Sequence, residues 1–101
     1  MEVVYISGKV TGRPWNEVEE QFLKASSVVR HHGCVPVVPI FLCKWGWSWF
    51  DCMRVCIGEL VNCDKILMLP GWKKSRGARI EWLVALACGI PVLKYKSHES
   101  D

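Results

Sequence analysis

Residues 64–92 read DKILMLPGWKKSRGARIEWLVALACGIPV, and the order of signals in that run decides the fold. Its opening, DKILML (64–69), is a short apolar run closed by Pro70-Gly71, the pattern of a strand buried on both faces. Ser75 then stands at the cap position of an amphipathic stretch, residues 76–88, that Gly89 closes. Residues 91–95 (PVLKY) supply the next strand. A strand, a helix and a strand within about 30 residues make a βαβ unit, whose strands run parallel. The helix carries one carboxylate, Glu81, in its second turn among apolar neighbours. Lys73, Lys74, Arg76 and Arg79 surround its start.

The same alternation extends towards the N-terminus. EVVYIS (2–7) is an apolar run ending in Ser7-Gly8, and Gly12-Arg13-Pro14 marks a turn. From about Trp15, apolar Val18, Phe22, Ala25, Val28 and Val29 recur at three- and four-residue steps, which predicts a helix closed by Gly33. The partial charge of His31 and His32 suits that helix C-terminus. CVPVV (34–38) predicts a second strand, and Pro36 places it at a sheet edge. After a loop over 39–47, Ser48 and Asp51 form a capping box for a helix running to about Asn62. The expectation is an α/β fold: one Rossmann-like (flavodoxin-like) three-layer domain with a parallel sheet of four or five strands. That domain spans residues 1–96, followed by a flexible polar tail over 97–101.

Composition narrows the function classes. Half of the 101 residues are apolar and 23% are charged, so the chain is globular rather than disordered. A net charge of +3 gives no basis for binding long nucleic acid or a membrane surface. The apolar runs are strand-sized, well short of the roughly 20 residues of a membrane span. Met1-Glu2-Val3-Val4-Tyr5 reads as a strand and not as a signal peptide, so a cytoplasmic location is expected. None of the six cysteines forms a C-x-x-C pair, and none has a metal-ligand spacing with His31 or His32. Trp49, Cys52, Met53, Cys56, Leu60 and Cys63 share one helical stripe, where cysteine acts as a small core residue. Neither a metal nor a cofactor is expected.

In open parallel sheets ligands sit at the carboxyl ends of the strands, where strand order reverses. Those ends are Ser7-Gly8-Lys9, Val38-Pro39 and Pro70-Gly71-Trp72. The capped start of the third helix, with Ser75, Arg76 and Gly77, faces the same crevice. Free N–H groups, the helix dipole and guanidinium side chains suit an anion there. Gly8, Gly71 and Gly77 permit close backbone approach of a phosphate or ribose. A solvated helix start is the other account of the basic residues, and the three glycines favour phosphate or ribose binding.

Tyr5-Ile6-Ser7-Gly8, Asp64 at the start of the third strand, the run Ser75-Arg76-Gly77-Ala78-Arg79-Ile80-Glu81-Trp82 and Gly89-Ile90-Pro91-Val92 carry a resemblance. Together they resemble nucleoside 2-deoxyribosyltransferases and the related 2′-deoxynucleoside 5′-phosphate N-hydrolases. The nearest likeness is to a small branch found in bacteria and their viruses. The resemblance covers nearly the whole chain, and the LPGW-x-x-S-x-GA-x-x-E string is its specific part. It implies that Glu81 is a nucleophile attacking the anomeric carbon of a (deoxy)ribosyl group and expelling the base, with water or a second base completing the reaction. It also implies that Tyr5 orients that carboxylate and that Ser7, Gly8, Ser75 and Gly77 hold sugar and phosphate. Gly71, Trp72, Arg76 and Asp64 complete the candidate binding set.

One position departs from that pattern. The superfamily places an aspartate, the proton donor to the departing base, eight residues before the position of Asp64. Cys56 stands there. A thiol is a poor substitute for a carboxylic acid, and losing a general acid costs about 10²–10⁴ in rate. Asp51 and Glu59 lie about 60° or more from the Cys56 direction on the same helix and do not replace it. Two functions follow: an N-glycosidase or (deoxy)ribosyltransferase acting through Glu81, or a protein that binds, senses or sequesters a nucleotide or nucleotide-derived signal with weak or no turnover. Either takes a small nucleotide or nucleoside as partner. Trp45, Trp47 and Trp49 close the core, stack a base, or meet a second copy. The relatives' habit of completing sites across subunits implies a homodimer or higher homo-oligomer.

Overall fold

The computed structural model describes residues 1–95. The expected tail at 97–101 lies outside them. Seven main elements follow one another: β1 (Val3–Ser7), α1 (Trp15–His31), β2 (Val35–Val37), α2 (Trp49–Leu60), β3 (Lys65–Met68), α3 (Arg76–Ala87) and β4 (Val92–Lys94). Short 3₁₀ turns at Pro39–Phe41 and Trp72–Lys74 break the connections after β2 and β3. All strand pairs are parallel and the order is β2-β1-β3-β4, so the described sheet has four strands. β2 lies at an edge, where the prolyl nitrogen of Pro36 needs no ladder partner. The two edge strands are shorter than the apolar runs 34–38 and 91–95, because each has a neighbour on one side alone.

Topology dictates the layers. The chain steps from β1 out to β2, then returns across β1 to β3 and continues to β4. Parallel crossovers are right-handed, so reversing the direction of travel puts the connecting helices on opposite faces. Side-chain alternation follows this division. Val4, Ile6, Leu67 and Leu69 face α1 and pack with Val18, Phe22, Ala25 and Val29. Tyr5, Ile66 and Met68 face the other way and pack with Cys56, Leu60, Ala78 and Ala85 of α2 and α3.

The helix ends match their sequence signals. Ser48 Oγ accepts from the Asp51 N–H at 3.1 Å, and the Asp51 carboxylate accepts from the Ser48 N–H at 3.3 Å, which closes the capping box. Ser75 Oγ accepts from the Ala78 N–H at 3.2 Å at the start of α3. His32 Nδ1 lies 2.9 Å from the Val28 carbonyl oxygen, using the last turn of α1. Gly8 has a packing role: a Cβ there would sit 3.0 Å from Leu69 Cδ1, so its absence lets the end of β1 lie against the end of β3.

The burial pattern gives a direct test. Leu60 of α2 is fully buried in the cluster beneath β1 and β3, whereas Leu83 of α3 is exposed. Leu60→Ala is expected to lower the unfolding free energy by about 2–5 kcal/mol, and Leu83→Ala by less than about 0.5 kcal/mol, as measured by urea unfolding.

Candidate functional site

The strand order reverses between β1 and β3, and the main cavity opens at the carboxyl ends of those strands. It has a volume of about 600 Å³ and contains Glu81 in its lining. The loop after β1 contributes Gly8, Lys9, Val10 and Thr11, and the start of α3 contributes Ser75, Arg76, Gly77 and Ala78. The opposite wall, from the β2–α2 connection and α2, carries Trp47, Trp49, Cys43, Cys52, Met53 and Cys56. The cavity is therefore polar and basic along one side and aromatic and sulfur-rich along the other.

Glu81 is held by β1. Tyr5 and Ser7 are two residues apart on one strand, so both side chains point to the α3 face. The Tyr5 hydroxyl donates to Glu81 Oε2 at 2.5 Å and the Ser7 hydroxyl donates to Oε1 at 2.7 Å. Both hydroxyls belong to fully buried residues, and Glu81 itself is 6% exposed. Each carboxylate oxygen thus has a fixed donor, which sets the orientation of the group in the cavity.

Two opposing effects act on its proton affinity. Burial penalises the carboxylate and raises its pKa, while the hydrogen bonds from Tyr5 and Ser7 lower it; burial prevails and the pKa lies above the ordinary 4.5. For Tyr5, burial and then the charge of Glu81 push the phenol well above its ordinary range, so it remains a donor. Cys56 is also raised, first by burial, with hydrogen bonding to Tyr5 opposing and the Glu81 charge reinforcing the shift. The thiol opposite Glu81 is consequently a neutral group near pH 7.

The basic side is organised by tertiary contacts. Arg76 stacks its guanidinium over the Trp49 ring, 4.1 Å from the centroid, joining the start of α3 to that of α2. Gly77 makes this approach feasible, since a Cβ there would lie 3.3 Å from Met53 Sδ. Arg13 Nη1 donates to the Lys9 carbonyl oxygen at 2.9 Å and to Gln21 Oε1 at 2.6 Å. These bonds tie the loop after β1 back to α1 and fix the backbone beside the cavity.

The structure gathers some of the residues expected from sequence and disperses others. Glu81, Gly8, Ser75, Arg76 and Gly77 border the cavity, and Tyr5 and Ser7 meet it through Glu81. Ser7, expected at the sugar or phosphate, has its hydroxyl on Glu81 and is fully buried. Gly71 opens the 3₁₀ turn in the left-handed region, with φ 87°, and Trp72 packs against Trp82 at 5.4 Å; neither borders the cavity. Asp64 sits at the amino end of β3, the opposite edge of the sheet, where its Oδ2 accepts from the Val3 N–H at 2.7 Å. Asp64 is therefore not among the residues that border the cavity. Trp15, Thr11, Ile40 and Cys43 line the cavity without having been singled out; no local spacing marks them, because separate loops bring them together.

The chain has the fold of a solved structure described as "2-desoxiribosyltransferase from Leishmania mexicana", with a TM-score of 0.74 at 18% sequence identity. The match covers 94% of this chain and 64% of that one, so the chain spans just under two thirds of its length. The protein is a Rossmann-like α/β domain whose fold is that of this structure. Residues 2–94 match the family model "Domain of unknown function (DUF4406)", and the chain belongs to that family. A search of curated proteins finds no match. Among the described residues no helix is long and apolar enough to cross a membrane.

The raised pKa of Glu81 has a signed consequence for stability. Between its unfolded and folded pKa values the native state binds more protons than the unfolded chain, so stability falls as pH rises through that window. Glu81→Gln removes this loss. Relative to the wild type, the variant is expected to gain stability as pH rises from about 4.5, with each unit of pKa elevation worth about 1.4 kcal/mol. Urea unfolding of both proteins across that pH range measures it.

Proposed function

We propose that this protein is a nucleotide or nucleoside N-glycosidase or (deoxy)ribosyltransferase that cleaves the base–sugar bond with Glu81 as nucleophile. The observation that carries the reading is the Glu81 carboxylate at the cavity, oriented through both oxygens by Tyr5 and Ser7. A carboxylate spared from water is more nucleophilic than a solvated one, and its fixed donors keep it directed. A Glu81 oxygen attacks C1′, the C1′–N bond breaks, and the bonding electrons leave with the base. Water or a second base then displaces the ester and regenerates the carboxylate. The basic side of the cavity, with Lys9, Lys74, Arg76 and the capped start of α3, supports an anionic substrate such as a nucleotide.

A second reading is favoured by Cys56. With a neutral thiol opposite Glu81, the same cavity serves a protein that binds a nucleotide or nucleotide-derived signal and turns it over slowly or not at all. The six cysteines, all free, support a cytoplasmic setting for either function. Exposed Phe41 and Trp45 on the β2–α2 connection and Phe50 at the start of α2 support a homodimer or higher homo-oligomer. Light scattering at micromolar concentration is expected to give more than one chain per particle.

Incubation with deoxynucleoside monophosphates, nucleosides and NAD separates the two functions. The enzyme reading expects free base from at least one of them, lost by at least about 10³-fold in Glu81→Gln. Tyr5→Phe, which removes one hydrogen bond to a charged group, is expected to cost about ten- to a hundredfold. Tight binding without base release in the wild type supports the second function and contradicts the first.

A further inference from the structure

The cavity is asymmetric in a way that bears on what can leave it. Among the described residues lining it, Glu81 is the single carboxylic acid, and Glu81 is committed to Tyr5 and Ser7. Asp51 is occupied at the Ser48 cap, and Asp64 lies at the far edge of the sheet. The wall from the β2–α2 connection and α2 carries the thiols of Cys43, Cys52 and Cys56, the thioether of Met53 and the rings of Trp47 and Trp49, and Cys56 lies near Tyr5 and Glu81. Cys43 Sγ and Cys56 Sγ lie 4.0 Å apart, so the two thiols meet each other and present sulfur to the cavity.

That wall offers no carboxylic acid to protonate a departing base, and a thiol is a poor substitute for one. A neutral purine or pyrimidine expelled without a proton leaves as an anion, here into an apolar, sulfur-lined space beside a carboxylate. A base that already carries a positive charge behaves differently. When its C1′–N bond breaks, the bonding pair neutralises the ring, and the base departs uncharged with no proton transferred. Aromatic faces and polarisable sulfur also suit a cationic ring better than an anionic one. Before the bond breaks, the cation lies near the negative charge of Glu81, which is directed at the adjoining C1′.

We infer that the substrates of this site are nucleotides whose base is cationic, such as pyridinium or N7-alkylated purine nucleotides, and that the thiol-lined wall selects them by offering no carboxylic acid to the departing base. The inference rests on the N-glycosidase reading given above. In the first step Glu81 forms the C1′–O bond as C1′–N breaks, and the neutral base leaves. In the second, water forms a new bond to C1′, the ester bond to Glu81 breaks, and the water proton passes to solvent. The phosphate of such a zwitterionic substrate is matched by Lys9 and Lys74, with Arg76 held at the Trp49 ring beside them.

The test uses the full chain and a panel of four bases in two sugar forms, eight probes in all. Nicotinamide mononucleotide and 7-methylguanosine 5′-monophosphate represent cationic bases; guanosine and cytidine 5′-monophosphates represent neutral ones, each as ribo- and deoxyribonucleotide. Base release is divided by the uncatalysed rate in the same buffer, which removes intrinsic lability. The acceleration is expected to be at least about 10²-fold larger for the cationic bases, the lower bound for a missing general acid. Equal or greater acceleration of the neutral bases overturns the inference and leaves the N-glycosidase reading standing. Release from no probe overturns that reading and the inference with it.

Cys56→Asp restores a carboxylic acid on the wall and is expected to shift the preference towards neutral bases by about 10²–10⁴. A folded variant with no such shift overturns the inference. A wild-type measurement that does not depend on the variant folding is kcat for a cationic substrate against pH. The titratable and charged groups around Glu81 are Tyr5 on β1, Cys56 with Cys43 and Cys52 on the facing wall, and Lys9, Lys74 and Arg76 along the basic side. With no acid required, kcat is expected to hold level from about pH 7 to 9 once Glu81 is ionised, whereas a fall on the alkaline side marks a working acid and contradicts the account.

Discussion

Everything at the candidate site depends on one buried carboxylate having both of its oxygens satisfied from the neighbouring strand. Glu81 on α3 accepts from Tyr5 and Ser7 of β1, across 76 and 74 residues of sequence. A buried ionised group without partners is costly, and the cost falls when every lone-pair direction it presents has a donor. Here the two donors come from one strand at a spacing of two, so the pleat that buries Val4 and Ile6 against α1 is what aims Tyr5 and Ser7 at α3. Burial still raises the carboxyl pKa, because the desolvation of the charged form outweighs the two hydrogen bonds.

The strand order converts this pair of elements into a cavity. Because the chain reverses direction between β1 and β3, the loops leaving those two strands diverge and leave space that α3 and the β2–α2 connection enclose. Gly8 allows the two strand ends to approach, through its contact with Leu69. Arg76 on Trp49 then joins the basic side to the aromatic wall. The outcome is a chemically divided space, with cations and a helix start at one side and rings and sulfur at the other.

The layers, the strand set and the caps were legible in the sequence because they rest on local rules. The spacing of Val18, Phe22, Ala25 and Val29, the Ser48–Asp51 box and Ser75 before α3 each depend on a few adjacent residues. Glu81 stood out because an apolar helix face rarely carries a carboxylate, and its resemblance to a family motif gave it a role. What the sequence could not show was how the rest of the site assembles. Ser7 was expected on the ligand, yet its place on the pleat turns it towards Glu81. Gly71 and Trp72 follow a strand end as the topology requires, but the 3₁₀ turn carries Trp72 onto Trp82 and away from the cavity. Asp64 belongs to the amino end of β3, and parallel strands keep their two ends about a strand length apart. The aromatic and sulfur wall comes from separate loops whose proximity is a tertiary fact.

The central claim is that the Glu81 carboxylate, held by Tyr5 and Ser7, forms a bond to the sugar. Mass spectrometry of the protein quenched during turnover, with peptide mapping, measures that bond directly when a slowly hydrolysed 2-fluoro sugar nucleotide is the probe. The account expects a mass increase equal to the glycosyl phosphate, located on Glu81. Base release with Glu81 unmodified, or with the sugar attached to another residue, would contradict it.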